Sequence, residues 1–255
     1  MLTDLSGRTA LVTGAAKRIG RAIALALAGK GANVVFNYRR SASEAESTKT
    51  ELEALGVRVL TLQADLTDLD ACERIVEKAW DTFGSVDILV NNASDFPRTP
   101  LSELAGNRAQ FEKLFQQQVD IHMRAPLYLG IRLGLKMKEN GWGRIVNITD
   151  RVTVRSQAYS NWALYLVTKY GLHGITQTLA EELRPEVTVN SVAPGLVVPP
   201  AEFSEAAVAR LRERIPLHRE VQPEEIAADV LHLVLSEGKT GSAVLTDGGA
   251  GTHTY

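Results

Sequence analysis

Cysteine is almost absent. Cys72 is the only one, so no internal disulfide can form, and a reducing compartment is the natural setting. Its place in a helical pattern suggests a buried packing residue. The five histidines are scattered without paired ligand spacing, so no metal site is expected. No apolar run reaches membrane-spanning length. Met1–Arg8 lacks the charged-then-apolar pattern of a secretion leader. A formal net charge of −2 argues for neither nucleic acid nor an acidic surface as partner. Linkers, low-complexity segments and sequence repeats are missing too. These absences together predict a soluble, cytoplasmic, metal-free domain spanning residues 1–255.

What is present is alternation. The hydrophobic content of 45% suits a globular chain with a sizeable core. The pattern predicts strands at Arg8–Thr13, Asn33–Tyr38, Val57–Ala64, Val86–Val90, Trp142–Ile148, Val187–Val192 and Ala243–Thr246. Helices are predicted at Arg18–Ala28, Ser43–Leu55, Asp68–Phe83, Trp162–Leu183, Ala201–Arg214 and Pro223–Leu235. A long helical stretch from Asn107 to Lys138 should kink at Pro126. Asp68 should cap its helix, and Gly56 and Gly84 should stop theirs. Repeated β-α units specify an α/β fold. It is read as a single-domain doubly wound parallel sheet, a Rossmann fold, with helices on both faces. Ligands then bind beyond the carboxyl ends of the strands.

Thr13–Gly20 reads T-G-A-A-K-R-I-G between the first strand and the first helix. Gly14 supplies a tight turn, Gly20 allows close packing, and the helix N-terminus at Arg18 and Ile19 faces a pyrophosphate. Arg18, preceded by Lys17, occupies the position where backbone approach normally requires glycine. An arginine there brings charge instead. The second strand runs into Tyr38-Arg39-Arg40-Ser41, with no acid to receive the ribose hydroxyls of NADH. Arg39, Arg40, Lys17 and Arg18 could converge on a 2′-phosphate, which favours NADPH/NADP+. A solvated charged edge is the alternative. Asp65, before Leu66, could accept from an adenine amino group or simply cap its turn. Asn92, Ala93 and Ser94 end the fourth strand, where small residues let a cofactor approach.

Tyr165 and Lys169 lie four apart and share one helix face. A lysine near a phenol should stabilise phenolate and lower the tyrosine pKa, making Tyr165 a proton donor near neutral pH. Asp150, fifteen residues earlier, could orient Tyr165, relay a proton to it, or merely form a turn.

In order, T-G-A-A-K-R-I-G, N-N-A-S, Y-L-V-T-K, Pro194-Gly195 and Thr246-Asp247-Gly248-Gly249 resemble the short-chain dehydrogenase/reductase family over essentially the whole chain. Within it, four features resemble the pteridine reductases, including dihydromonapterin and dihydrofolate reductase-like members. These are T-G-A-A-K-R, Y-R-R-S, N-N-A-S-x-F with Phe96, and Asp150 where serine is usual. The resemblance implies that Arg18 contacts cofactor phosphate and substrate. Arg39, Arg40 and Ser41 would hold the 2′-phosphate, and Asn92, Ala93 and Ser94 would lie along the cofactor. Phe96 would stack on the pterin, Asp150, Tyr165 and Lys169 would form the catalytic set, and Lys169 would also bind the nicotinamide ribose. Pro194, Gly195 and Val197 would contact the nicotinamide through backbone and lead into a substrate loop at Pro199–Ala207. Family members usually form tetramers through the long helix and the catalytic helix. Gly171 and Gly174 would allow that approach, and the tail Gly251–Tyr255 could reach a neighbouring subunit.

Two departures stand out. His122 replaces an asparagine that supports a water-mediated proton path in the family. It could hold a water or only pack. The Asp150–Tyr165 segment is also about two residues longer than in pteridine reductases, with the insertion in Arg151–Asn161. The expected reaction is hydride transfer from NADPH to a pterin or folate-like C=N bond, with the proton from Tyr165. The alternative is NADPH reduction of a carbonyl, in a 3-oxoacyl thioester or small ketone. Asp150 counts against it, since a carboxylate is a poor partner for a developing oxyanion. A non-catalytic NADP-binding regulator is disfavoured because Tyr165 and Lys169 are both present.

Overall fold

A computed structural model describes residues 3–155, 158–197 and 203–250. The strands are β1 (Thr9–Val12), β2 (Asn33–Tyr38), β3 (Val59–Gln63), β4 (Ile88–Asn91), β5 (Gly143–Ile148), β6 (Val187–Pro194) and β7 (Ala243–Thr246). They form one parallel sheet in the order β3-β2-β1-β4-β5-β6-β7, as the alternation predicts. The helices are α1 (Arg18–Ala28), α2 (Ala42–Glu53), α3 (Leu69–Phe83), α4 (Leu101–Leu104), α5 (Arg108–Val119), α6 (Ala125–Glu139), α7 (Val152–Arg155), α8 (Ala163–Glu182), α9 (Glu205–Glu213) and α10 (Pro223–Leu235).

The strands read as continuous apolar runs because both faces are covered. Successive side chains point to opposite faces, so one strand feeds two cores. In β1, Ala10 and Val12 join Ile23 and Leu27 of α1 and Val230 of α10, while Leu11 joins Ile75 of α3, Leu133 of α6 and Leu179 of α8. Cys72 lies fully buried in the second core, and burial pushes its thiol up to about 12. It is the packing residue the sequence suggests.

The long helical stretch is interrupted near Pro126, where the sequence predicts a kink. It breaks one turn earlier, where Asp120–Arg124 forms a π-helical turn between α5 and α6. The Ala125 N–H reaches back five residues to the Asp120 carbonyl. Pro126 follows in the first turn of α6, where its missing N–H is tolerated. Asp68 caps α3 by accepting from the Asp70 N–H, and Gly84 closes it in the left-handed conformation, φ 80°. The short helices α4 and α7 carry no sequence periodicity that would announce them. The expected helix start at Ala201, the Pro199 end of the substrate loop and the tail Gly251–Tyr255 lie outside the described residues. Among the described residues, no helix is long and apolar enough to cross a membrane, and no group of three potential ligands could hold a metal.

Candidate active site

The strand order reverses between β1 and β4, and the crevice there is the expected ligand position. Thr13 ties its two sides together: its hydroxyl oxygen accepts from the N–H groups of Asn92 and Ala93 at 2.9 and 3.0 Å. Asn92 returns the contact through Nδ2, which donates to the carbonyls of Thr13 and Gly14. Gly14 adopts φ 65°, and a Cβ there would lie 2.9 Å from the Ala93 backbone. A Cβ on Gly20 would lie 2.5 Å from both Asn92 Nδ2 and the Gly14 carbonyl. Both glycines are therefore dictated by close approach. Asn37, not anticipated from sequence, also holds the turn: its Oδ1 accepts from the Gly14 N–H at 2.9 Å, and its Nδ2 donates to the Ala64 carbonyl.

The four cations near this crevice do not act as one cluster. Lys17 turns to Glu44 at 3.1 Å, and Arg39 pairs with Asp65 at 3.6 Å. Asp65 also caps its turn, its Oδ1 accepting from the Thr67 N–H and hydroxyl. Leu66 beside it is buried in the second core. Arg18 and Arg40 remain exposed. Arg18 has φ 53°, so it keeps the left-handed backbone that a glycine would have supplied. The α1 N-terminus has no side-chain cap and no acid in its first turn, and Ser41 heads α2 without capping it. Uncapped N–H groups, Arg18, Arg40 and Ser41 thus fit a dinucleotide bearing a 2′-phosphate.

Beyond β5, Asp150 gathers donors. Its Oδ2 accepts from Tyr165 at 3.1 Å and from Tyr159 at 2.9 Å, and its Oδ1 accepts from the Val152 N–H. Lys169 is buried; its Nζ donates to the Ile148 carbonyl at 2.8 Å and stands 5.5 Å from the Tyr165 ring centre. The expected lowering of the Tyr165 pKa is reversed here. Burial, reinforced by Asp150, holds the phenol well above its usual range. Lys169 itself is pushed down to about 8 by burial, partly offset by Asp150.

His122 lies in the π turn and is wholly buried. Its Nδ1 is 2.9 Å from Thr168 Oγ1, and its Nε2 is 2.7 Å from Ser94 Oγ. Thr168 spends its own proton on the Tyr165 carbonyl, so Nδ1 is the donor to Thr168 and Nε2 accepts from Ser94. Burial drives the imidazole pKa well below its usual value, with Lys169 adding to the effect. Both nitrogens are occupied by side chains, so His122 packs as a hydrogen-bonded clamp. The Ser94 hydroxyl, expected along the cofactor, is committed to it. Likewise the Pro194 carbonyl accepts from the Arg151 N–H, and the Gly195 N–H donates to Thr246, so those groups serve the fold. Val197 is buried beyond them.

Phe96 is not a lone wall. It stacks on Trp162 with centroids 5.1 Å apart and meets Tyr165 edge-on at 4.6 Å. Tyr159 and Phe203 flank Trp162 at 5.8 and 6.3 Å. Tyr159 and Trp162 escape sequence reasoning because they fall in and just after the irregular, lengthened segment.

The family model described as short chain dehydrogenase matches residues 8–207. The chain belongs to the short-chain dehydrogenase family. This short-chain dehydrogenase is 34% identical to a 3-oxoacyl-[acyl-carrier-protein] reductase of Synechocystis over 253 residues, covering 97% of this chain and 98% of that one. It is 31% identical to an L-rhamnose 1-dehydrogenase (NAD(P)(+)) of Sphingomonas, covering 96% of each. Its fold matches an acetoin dehydrogenase of Enterobacter cloacae with a TM-score of 0.86 at 28% identity, over 98% of both chains. None of these three names a pterin. The family expectation holds; the narrower resemblance to pteridine reductases finds no support in them.

Proposed function

We propose that this oxidoreductase is an NADPH-dependent carbonyl reductase acting on a 3-oxoacyl thioester or a related small ketone. The carrying observation is the buried Tyr165–Lys169 pair at the β5 end, in a chain similar over its whole length to a 3-oxoacyl reductase. Bound NADPH supplies the hydride, while the protein orients the reactants. The α1 N-terminus with Arg18 takes the pyrophosphate, and Arg40 and Ser41 take the 2′-phosphate. Tyr165 stays protonated and hands its proton to the substrate oxygen. Lys169, a cation at neutral pH, stabilises the negative charge that develops nearby. A cavity of about 220 Å³ lined by Phe203, Arg210, Leu211 and Arg214 adjoins the aromatic wall. Its two arginines suit a substrate carried on an anionic tail.

A second reading keeps the pterin substrate, because Asp150 stands on Tyr165 and the Phe96–Trp162 pair offers a flat apolar wall. Steady-state assays with NADPH decide between them. Turnover of acetoacetyl thioester or diacetyl supports the first reading. Turnover of dihydrobiopterin, dihydromonapterin or dihydrofolate, without any ketone, replaces it with the second.

Assembly is part of the proposal. Leu127, Ile131 and Leu135 form an exposed apolar stripe along α6, and Val167 and Tyr170 are exposed on α8. These faces suit a homotetramer built through both helices. Gly171 is occupied within the subunit, because a Cβ there would meet Met123 at 2.6 Å, whereas Gly174 faces open space. A monomeric mass in solution would remove this element.

A further inference from the structure

We propose that Tyr159 is the proton-entry residue of the site, resupplying Tyr165 through Asp150. The inference rests on the reductase reading. Two observations carry it. First, both phenols donate to one carboxylate oxygen, Asp150 Oδ2, so a proton moving from Tyr159 to Tyr165 crosses two hydrogen bonds, of 2.9 and 3.1 Å, and no gap. Second, the neighbours on the opposite side have their polar atoms turned to other partners. His122 is buried with both nitrogens taken by Ser94 and Thr168, and Lys169 Nζ is turned to the Ile148 carbonyl. Tyr159 as a residue is only partly buried, whereas Tyr165 is buried, so Tyr159 is the member of the pair nearer the exterior.

The charged and titratable groups facing this cluster come from three places. Arg151 sets its guanidinium over the Tyr159 ring at 5.5 Å, Lys169 and Tyr165 face it from α8, and His122 meets the Tyr165 ring from the π turn. Arg151 Nη1 is buried without a hydrogen-bond partner, so its charge is not spent elsewhere through that atom. Both phenols face the Asp150 carboxylate, Tyr159 at 2.9 Å and Tyr165 at 3.1 Å, and a phenolate formed at Tyr159 has the Arg151 cation beside it.

The protons balance as follows. Reduction leaves an electron pair on the substrate oxygen, which takes the Tyr165 proton. The Tyr165 oxygen takes a proton from Asp150 Oδ2 as Oδ2 takes one from Tyr159. Tyr159 then takes a proton from solvent water. Asp150 ends as it began, and Tyr159 acts on the substrate only through Tyr165.

The first test needs no cofactor and no turnover. Phenol ionisation is followed by ultraviolet absorbance in the cofactor-free protein and in Asp150→Asn. Burial raises both phenols and Asp150 adds to the rise, so neutralising Asp150 should shift two tyrosines' worth of absorbance to lower pH. A shift of one or none overturns the shared carboxylate, whatever the substrate proves to be. The second test is Tyr159→Phe. We expect kcat to fall roughly ten- to hundredfold with KM nearly unchanged, and the solvent deuterium isotope effect on kcat to rise as proton resupply becomes limiting. Rescue by small weak acids in the buffer should follow. Wild-type kcat and isotope effect in Tyr159→Phe overturn the proposal, and an equal rise in KM reduces Tyr159 to a packing residue.

Discussion

Ser94 donates its hydroxyl proton to His122 across 2.7 Å, and so joins the end of β4 to the π turn. The bond reaches on through Thr168 to the carbonyl of Tyr165, which makes one hydrogen-bonded chain from the exposed end of β4 to α8. His122→Ala should leave Ser94 and Thr168 without their partner. We expect a loss of about 1–3 kcal/mol in denaturant unfolding, together with poorer NADPH binding. Unchanged stability would show that the chain carries no structural weight.

Arg18 sets backbone against charge. Its φ of 53° is costly for any side chain. Arg18→Gly should therefore raise stability by about 1 kcal/mol while weakening cofactor binding. Thermal unfolding and NADPH titration should move in opposite directions. If both fall, Arg18 stabilises the turn through contacts other than charge.

Arg40→Ala tests the 2′-phosphate. Loss of charge-assisted hydrogen bonds should weaken NADPH roughly ten- to hundredfold and leave NADH within a fewfold. Equal effects on the two cofactors would transfer the preference elsewhere.

Tyr165→Phe should retain NADPH binding and lose roughly a hundred- to ten-thousandfold in kcat. Fluorescence titration and turnover, measured on one preparation, separate the two. Residual turnover near the wild-type value would exclude Tyr165 as the donor.

The pH profile should report Lys169. Burial lowers its pKa to about 8, so the cation is present below that pH and is lost as pH rises through it. Its charge stabilises the developing oxyanion, so kcat/KM should fall above about pH 8. A profile still flat at pH 9 would mean that Lys169 acts only by position.

Much of the fold was legible in the chain. Apolar runs such as Thr9–Val12 and Val34–Phe36 have no polar alternation, which requires a sheet covered on both faces. Helical spacing at Ile19, Ile23 and Leu27 and the glycines after it fixed α1 within the expected bounds. The π turn was not legible. It lies just before Pro126, with its Met123 side chain close against Gly171, and no local pattern states which turn takes the extra residue. Sequence motifs also placed Tyr165, Lys169 and Asp150 together, because loop order and strand order converge on one sheet edge.

By itself, the sequence determined the parallel sheet, the glycine turn after β1 and the helical spacing of Tyr165 and Lys169, since each depends on residue type at fixed local spacing. Only tertiary structure decided how those residues are used. Burial and a shared carboxylate reversed the expected effect of Lys169 on Tyr165. Contacts far apart in the chain turned Lys17 and Arg39 toward acids, sealed His122, and brought Tyr159 onto Asp150. Desolvation and long-range pairing depend on what surrounds a group, and one-dimensional spacing does not encode that surrounding.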